Sequence, residues 1–221
     1  NNSLTDITFP TLIDENSNNI IDFLFYSNPL ITSLDLSVFT KLGGDIRLDS
    51  NNSLTGITFP DQLDENTDNI TIFYCYSNPL ITNLDLSMFT KLGGNIRLNS
   101  NNSLTGITFP DQLDENTDNI SYFYANSNPL ITSLDLSMFT KLGGDIRLNT
   151  NNSLTGITFP TLIDENSNNI TYFYANSNPL ITSLDLSMFT KLGGQIYLGS
   201  NNSLTGITFP TLIDENSNNI T

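Results

Sequence analysis

The sequence predicts an all-β solenoid, in which coils of about 25 residues are paired into 50-residue repeats. The first observation is a fixed period, since the segment NNSLT-x-ITFP recurs every fifty residues along the chain. The second is the alternation of apolar and polar residues in short runs such as Leu34–Leu36 and Ile46–Leu48, which is typical of strands with one buried face. The third is the Asn-, Gly-, Ser- and Pro-rich composition between these runs, which predicts tight corners.

The array is interpreted as one continuous unit, residues 1–221. Its repeat units are 1–50, 51–100, 101–150 and 151–200, followed by a partial unit, 201–221. Because the sequence begins and ends inside a repeat, we expect it to be a window on a longer array. Almost identical units that stack on their neighbours are the mark of a repeat protein with a continuous core.

Each repeat divides into two unlike halves, and each half is predicted to form one coil. Leu154 and Leu180 are 26 residues apart and Leu180 and Leu204 are 24 apart, which predicts a coil of about 25 residues. Each coil should carry two short strands that stack as parallel sheets, and no helix longer than one turn, at Ser37–Leu42. The inward ladders are predicted at Ile7, Ile57, Ile107, Ile157 and Ile207, at Phe9 and Phe23 with their copies, and at Leu34, Leu36, Ile46 and Leu48 with theirs.

Two corner features are predicted from residue type. The recurring Asn28, Asn78, Asn128 and Asn178 should stack as hydrogen-bonded amide ladders. The Gly43-Gly44 pair and its copies should form a tight turn with positive φ just before a strand.

Composition excludes several functional classes. With 23 acidic and 7 basic residues the net charge is −16, which argues against nucleic acid as a partner. The sequence contains no run of about 18 apolar residues, so no membrane-spanning segment is predicted. The chain has no His, so imidazole-based catalysis and imidazole metal sites are absent, and we expect no enzyme and no catalytic residue. Cys75, the one cysteine, is interpreted as a small buried apolar residue.

An acidic pair recurs once per repeat, beginning with Asp14-Glu15 in the segment LIDENSNN. Its carboxylate and amide oxygens are ligands that Ca²⁺ accepts. The spacing matches neither an EF-hand nor the glycine-rich nonapeptide calcium repeat, so we favour a solvated acidic turn and expect no cofactor, with calcium as the weaker alternative. The pairs are Asp14-Glu15, Asp64-Glu65, Asp114-Glu115, Asp164-Glu165 and Asp214-Glu215.

The segment LGGDIRLNTNNSLTGI, residues 142–157, with NPLITSLDLSMFTKLGG before it, resembles the receptor L-domain repeats, and is closest to those of fungal GPI-anchored cell-wall proteins. The similarity covers residues 28–57, 78–107, 128–157 and 178–207. It implies a right-handed, leucine-rich-repeat-like β-helix with an extracellular or cell-surface location, glycosylation and no catalytic residues. The other half of each repeat lacks the glycine pair. The repeats of this chain are also more similar to one another than the repeats of that family are.

N-x-S/T sequons supply the candidate modification sites. Their number is about what this composition gives by chance, but their regular placement at corners predicts rows of N-linked glycans. The candidates are Asn1, Asn51, Asn69, Asn101, Asn119, Asn151, Asn169, Asn201 and Asn219.

The sequence therefore predicts an extracellular structural repeat protein that forms or coats a fibre, wall or adhesive surface. Its expected partners are further copies of itself, stacked end to end as filaments, and glycans. The alternative is a ligand-binding cell-surface ectodomain. Near-identical repeats favour the structural function, because a specific pocket needs irregularity.

Overall fold

A computed structural model describes residues 2–10, 19–65, 67–115, 117, 119–161, 163–164, 167, 169–189 and 191–211. Within these ranges the chain forms strands and turns but no helix, and hence no helix that could cross a membrane. The strands are β1 Asn19–Leu24, β2 Ser33–Asp35, β3 Lys41–Arg47, β4 Gly56–Thr58, β5 Ile70–Tyr74, β6 Asn83–Asp85, β7 Leu92–Arg97, β8 Gly106–Thr108, β9 Ile120–Tyr124, β10 Ser133–Asp135, β11 Leu142–Arg147, β12 Gly156–Thr158, β13 Ile170–Tyr174, β14 Ser183–Asp185, β15 Leu192–Tyr197 and β16 Gly206–Thr208.

The strands stack as a β-solenoid, which confirms the predicted fold class. All odd-numbered strands form one parallel eight-stranded sheet in the order β1-β3-β5-β7-β9-β11-β13-β15. The even-numbered strands form a second side, which is divided into four parallel pairs, β2-β4, β6-β8, β10-β12 and β14-β16. Each coil thus contributes two strands, as predicted, but only one of the two sheets is continuous.

The two coils of a repeat differ in length, and the predicted register between them is wrong by one residue. Corner-to-corner spacings alternate between 23 and 27 residues rather than 24 and 26. Ile181, not Leu180, takes the position of Leu154, since each donates its N–H to the carbonyl three residues earlier and is buried. Leu180 and its copies are turn residues that remain almost half exposed.

The longer coil carries its extra residues in one connection. β2 ends at Asp35 and β3 begins at Lys41, whereas β4 ends at Thr58 and β5 begins only at Ile70. The second connection contains the acidic pair Asp64-Glu65. Of the segment Ser37–Leu42, only Ser37 and Val38 form a turn, in which Phe39 N–H donates to the carbonyl of Leu36 at 3.0 Å, and Lys41 and Leu42 already belong to β3.

The core lies between the two strand rows and runs the length of the solenoid. Leu34, Leu36, Ile46 and Leu48 are at most 1% exposed, which confirms their inward assignment. Ile57 and its copies Ile107 and Ile157 are only half-buried, whereas Phe59, Phe109 and Phe159 are buried. Rings pack edge to face in each repeat, as for Phe59 and Phe89 with 5.0 Å between centroids, a favoured aromatic geometry.

The glycine pair lies inside a strand and not in a turn before it, which corrects the prediction. Gly144 has a φ of +65°, so the positive φ predicted for the glycine pair is present. The pairing of this strand with its neighbour shifts register between Gly144 and Asp145. The second glycine is therefore part of a β-bulge. A Cβ at Gly144 would overlap the carbonyl oxygen of Ser121 in the neighbouring coil, so the position excludes other residues sterically.

Candidate functional site: the outer face of the large sheet

One row of side chains on the outside of the eight-stranded sheet alternates between Arg and Tyr. Its members occupy the same register position in successive strands, because Arg47 pairs with Tyr74 and Tyr74 with Arg97. We call this set the tyrosine–arginine row: Arg47, Tyr74, Arg97, Tyr124, Arg147, Tyr174 and Tyr197.

Each guanidinium in the row lies between two phenol rings. Arg97 Cζ is 4.8 Å from the centroid of Tyr74 and 5.3 Å from that of Tyr124, and Arg147 repeats both distances between Tyr124 and Tyr174. These are cation–π contacts, which attract each guanidinium to the ring faces on both sides of it. The stack makes a stiff surface from long side chains that would otherwise be mobile.

Asp145 anchors the middle of this row. Its Oδ2 accepts a hydrogen bond from the phenol of Tyr124 at 3.1 Å and one from Arg147 Nη2 at 3.2 Å. Partial burial, opposed by the charge of Arg147 and aided by that of Asp145, raises the pKa of Tyr124 to about 12. The phenol is therefore a donor at neutral pH, and the carboxylate is fixed in one orientation.

A second feature, the interior asparagine ladder, holds the coils together at one corner. It consists of Asn28, Asn51, Asn78, Asn101, Asn128, Asn151, Asn178 and Asn201. The backbone N–H of each donates to the Oδ1 of the next at 2.7–2.9 Å. The side-chain amide of Asn101 also donates to the carbonyls of Cys75 and Leu98.

The predicted amide ladder therefore exists, but its composition and bonding differ from the prediction. It includes the corner asparagines of both coils, and the side-chain amides bond to backbone groups and not to one another. Each amide satisfies buried backbone donors and acceptors that would otherwise be costly to leave without partners.

The ladder conflicts with glycosylation at four of the nine candidate asparagines. Asn51, Asn101 and Asn151 are at most 3% exposed, and Asn201 makes the same two amide donations to carbonyls. A glycan needs a surface amide, so these four sequons do not agree with this structure.

The remaining sequons lie elsewhere. Asn69 and Asn119 are half-buried and Asn169 is exposed, just before strands of the large sheet. Glycosylation at these three asparagines stays a prediction. Asn1 and Asn219 lie outside the described residues.

The acidic turns are bound by lysines of the chain itself. Lys91 Nζ donates to the carbonyls of Glu65 at 2.7 Å and Thr67 at 2.9 Å, and Lys141 does the same with Glu115 and Thr117. In these two turns the ammonium group therefore binds backbone carbonyl oxygens, and calcium binding by the side-chain oxygens stays a weaker, untested alternative. Asp14, Glu15, Glu165, Asp214 and Glu215 lie outside the described residues.

Clefts open beside the acidic turns and recur with the repeat. One of about 340 Å³ is bordered by Asp64, Met88 and Lys91, and its counterpart of about 360 Å³ by Asp114, Met138 and Lys141. In the described part of the chain no cluster of three acidic or cysteine side chains could hold a metal ion.

Cys75 is fully buried and accepts a hydrogen bond from Asn78 Nδ2 at 3.3 Å. Burial raises the pKa of its thiol to about 12, which makes it unreactive. Its interpretation as a small core residue is confirmed.

The tyrosine–arginine row was not predicted from the sequence, although a signal for it exists. Arg47, Arg97 and Arg147 each follow an inward Ile, and Tyr74, Tyr124 and Tyr174 each follow an inward Phe. Placing the two kinds of coil in their correct register would have brought these residues side by side.

No family model, no curated protein and no solved structure matches this chain. The described coils establish a repeating β-solenoid, and the similarity to receptor L-domain repeats remains an expectation from sequence.

Proposed function

We propose that the protein is an extracellular structural repeat protein that forms or coats a fibre, wall or adhesive surface. The observation that supports this most is the continuity of the interior asparagine ladder, in which the same bond from a backbone N–H to the next Oδ1 links the described coils from Asn28 to Asn201. Each added pair of coils extends the solenoid and repeats the same two cross-sections. Such a unit lengthens by repetition, as a scaffold requires.

End-to-end stacking on further copies is part of this proposal. Phe59, Phe109 and Phe159 are at most 7% exposed, because each packs beneath a phenylalanine of the following coil, as Phe59 does against Phe89 with 5.0 Å between centroids. The cross-section of a coil is thus an apolar surface that another coil covers, whether that coil belongs to the same chain or to another copy.

Electron microscopy of material from the native source tests the structural function. The proposal predicts fibres or arrays with an axial repeat of about 10 Å, two coils of about 4.8 Å each. Discrete, dispersed particles would contradict it. Antibody labelling of intact and permeabilised cells tests the location, and labelling confined to permeabilised cells would exclude an extracellular protein.

Glycans on Asn69, Asn119 and Asn169 are proposed as the modification of a eukaryotic secreted form. Peptide mapping of the native protein should find hexosamine on these three asparagines, and Asn51, Asn101 and Asn151 should be unmodified. Unmodified asparagines at all six positions would remove glycosylation from the proposal.

A further inference from the structure

A groove lies on the outer face of the large sheet, beside the tyrosine–arginine row. It has a volume of about 520 Å³ and is bordered by Ser121, Tyr122, Asp145, Ser167, Asn169 and Thr171. We call it the sheet groove. From its geometry we propose that the sheet groove binds a neutral hexose oligosaccharide, a site that goes beyond the structural function.

The chemistry of the lining supports this ligand class. Hydroxyls of serine and threonine, one amide and one carboxylate present donors and acceptors that match the hydroxyl groups of a sugar. Tyr122 is 40% exposed and offers an apolar ring at the same groove, against which the C–H face of a pyranose can pack. Binding sites for small molecules combine such an apolar surface with a few fixed polar groups, in volumes of about 300–1,000 Å³.

One polar group of the groove is held ready for a ligand. Asp145 is fixed by its bonds from Tyr124 and Arg147, so little side-chain entropy is lost when it binds.

The charges around the groove favour a neutral saccharide. Two cations lie beside the groove, and the chain itself binds both. Arg147 is bonded to Asp145 and stacked between two tyrosines, and Lys191 Nζ donates to the carbonyl of Ser167 at 3.1 Å. The chain as a whole carries −16, so an acidic polysaccharide would meet a net negative field as well as the Asp145 carboxylate, which Arg147 already partners.

The other repeats provide matched variants, because the same positions carry different residues there. Tyr122 and Asp145 correspond in register to Ile72 and Asn95. Tyr122→Ile and Asp145→Asn therefore install residues that the fold already accommodates one repeat away. Asp45→Asn is the matched control, since it makes the same chemical change at the equivalent position of the first repeat.

The experiment measures binding of three neutral hexaoses, a β-1,3-glucan, an α-mannan and a chitin hexaose, to unglycosylated chain by calorimetry. Hexagalacturonate serves as the anionic probe. We expect at least one neutral hexaose to bind with a Kd below about 1 mM. Tyr122→Ile and Asp145→Asn should each weaken that binding at least tenfold, and Asp45→Asn should leave it unchanged.

Several results would overturn the proposal. They are no binding of any neutral hexaose, binding that both groove variants retain, or preferential binding of hexagalacturonate. Thermal melts of all variants verify that they remain folded. A glycan on Asn169 would occupy the groove, so the site is open only in chains that are unmodified at this residue, and enzymatic glycosylation of Asn169 should abolish binding.

Discussion

The side-chain oxygen of Asn101 accepts the backbone N–H of Asn78, one coil earlier, at 2.9 Å. The amide nitrogen of Asn101 donates at the same time to two buried carbonyls. One side chain thus satisfies three backbone groups in the interior. The bond from a backbone N–H to the next Oδ1 recurs from coil to coil, which explains why the corner asparagine occurs in both halves of each repeat.

Replacing this amide should be among the most damaging single changes to the chain. Asn101→Ala leaves three buried backbone groups without partners, and we expect it to lower the free energy of unfolding by about 3–5 kcal/mol. Urea denaturation measures the loss. The neighbouring Asn102 is exposed, so Asn102→Ala should change stability by no more than about 0.5 kcal/mol. Equal effects of the two substitutions would contradict the role of the ladder.

The bulge glycine should not tolerate even a methyl group. Gly144 has a positive φ, and a Cβ there would overlap a carbonyl of the adjacent strand, so Gly144→Ala should cost about 3 kcal/mol or more. At Gly156 an added Cβ meets no atom within 4 Å. Gly156→Ala should therefore lie within about 1 kcal/mol of the wild type, and thermal melts compare the two variants.

The residue before each ladder asparagine adopts a left-handed conformation, and in one coil this residue is β-branched. Thr150 has a φ of +62°, whereas the seven equivalent residues that share this conformation are serines. Since β-branched residues are strained there, Thr150→Ser should stabilise the protein by about 0.5 kcal/mol. The same substitution at Thr158, an exposed strand residue, should instead destabilise slightly. A destabilising Thr150→Ser would contradict the assigned conformation.

The raised pKa of Tyr124 predicts how the stability of the protein changes at alkaline pH. Its pKa is raised to about 12 in the folded protein from about 10 in an unfolded chain. Its contribution is therefore complete below about pH 10 and is lost as the pH rises towards about 12. Unfolding experiments should show that Tyr124→Phe loses less stability than the wild type between about pH 9 and about pH 11. Identical losses would show that this phenol does not contribute.

The sequence carried enough information for the fold class and most of the core. The fifty-residue period and the alternation at Leu34–Leu36 and Ile46–Leu48 depend only on which side chains avoid water, and they predicted the inward ladders correctly. The half-buried Ile57 row shows the limit of that pattern, because alternation does not reveal how closely the divided second sheet packs.

The register between coils could not be read from hydrophobicity alone. Leu180 and Ile181 are adjacent and both apolar, so either could have matched Leu154. The corner residues distinguish them. Ser177 adopts a left-handed conformation and Asn178 is buried, and this corner places Ile181 at the core position. This one-residue difference also concealed the tyrosine–arginine row. Sequon spacing gave no warning that Asn101 is interior, because a sequon records local sequence and not exposure.

Deleting one whole repeat, residues 101–150, tests the solenoid of paired coils most directly. The deletion joins Ser100 to Asn151, which continues the ladder in the position of Asn101. The account predicts a folded β protein with a single unfolding transition, whose longest dimension in solution scattering is shorter by about 10 Å, two coils of about 4.8 Å each. Removing only residues 101–125 places the ladder out of register and should prevent folding. An unfolded product from the fifty-residue deletion, or an unchanged long dimension, would contradict the account.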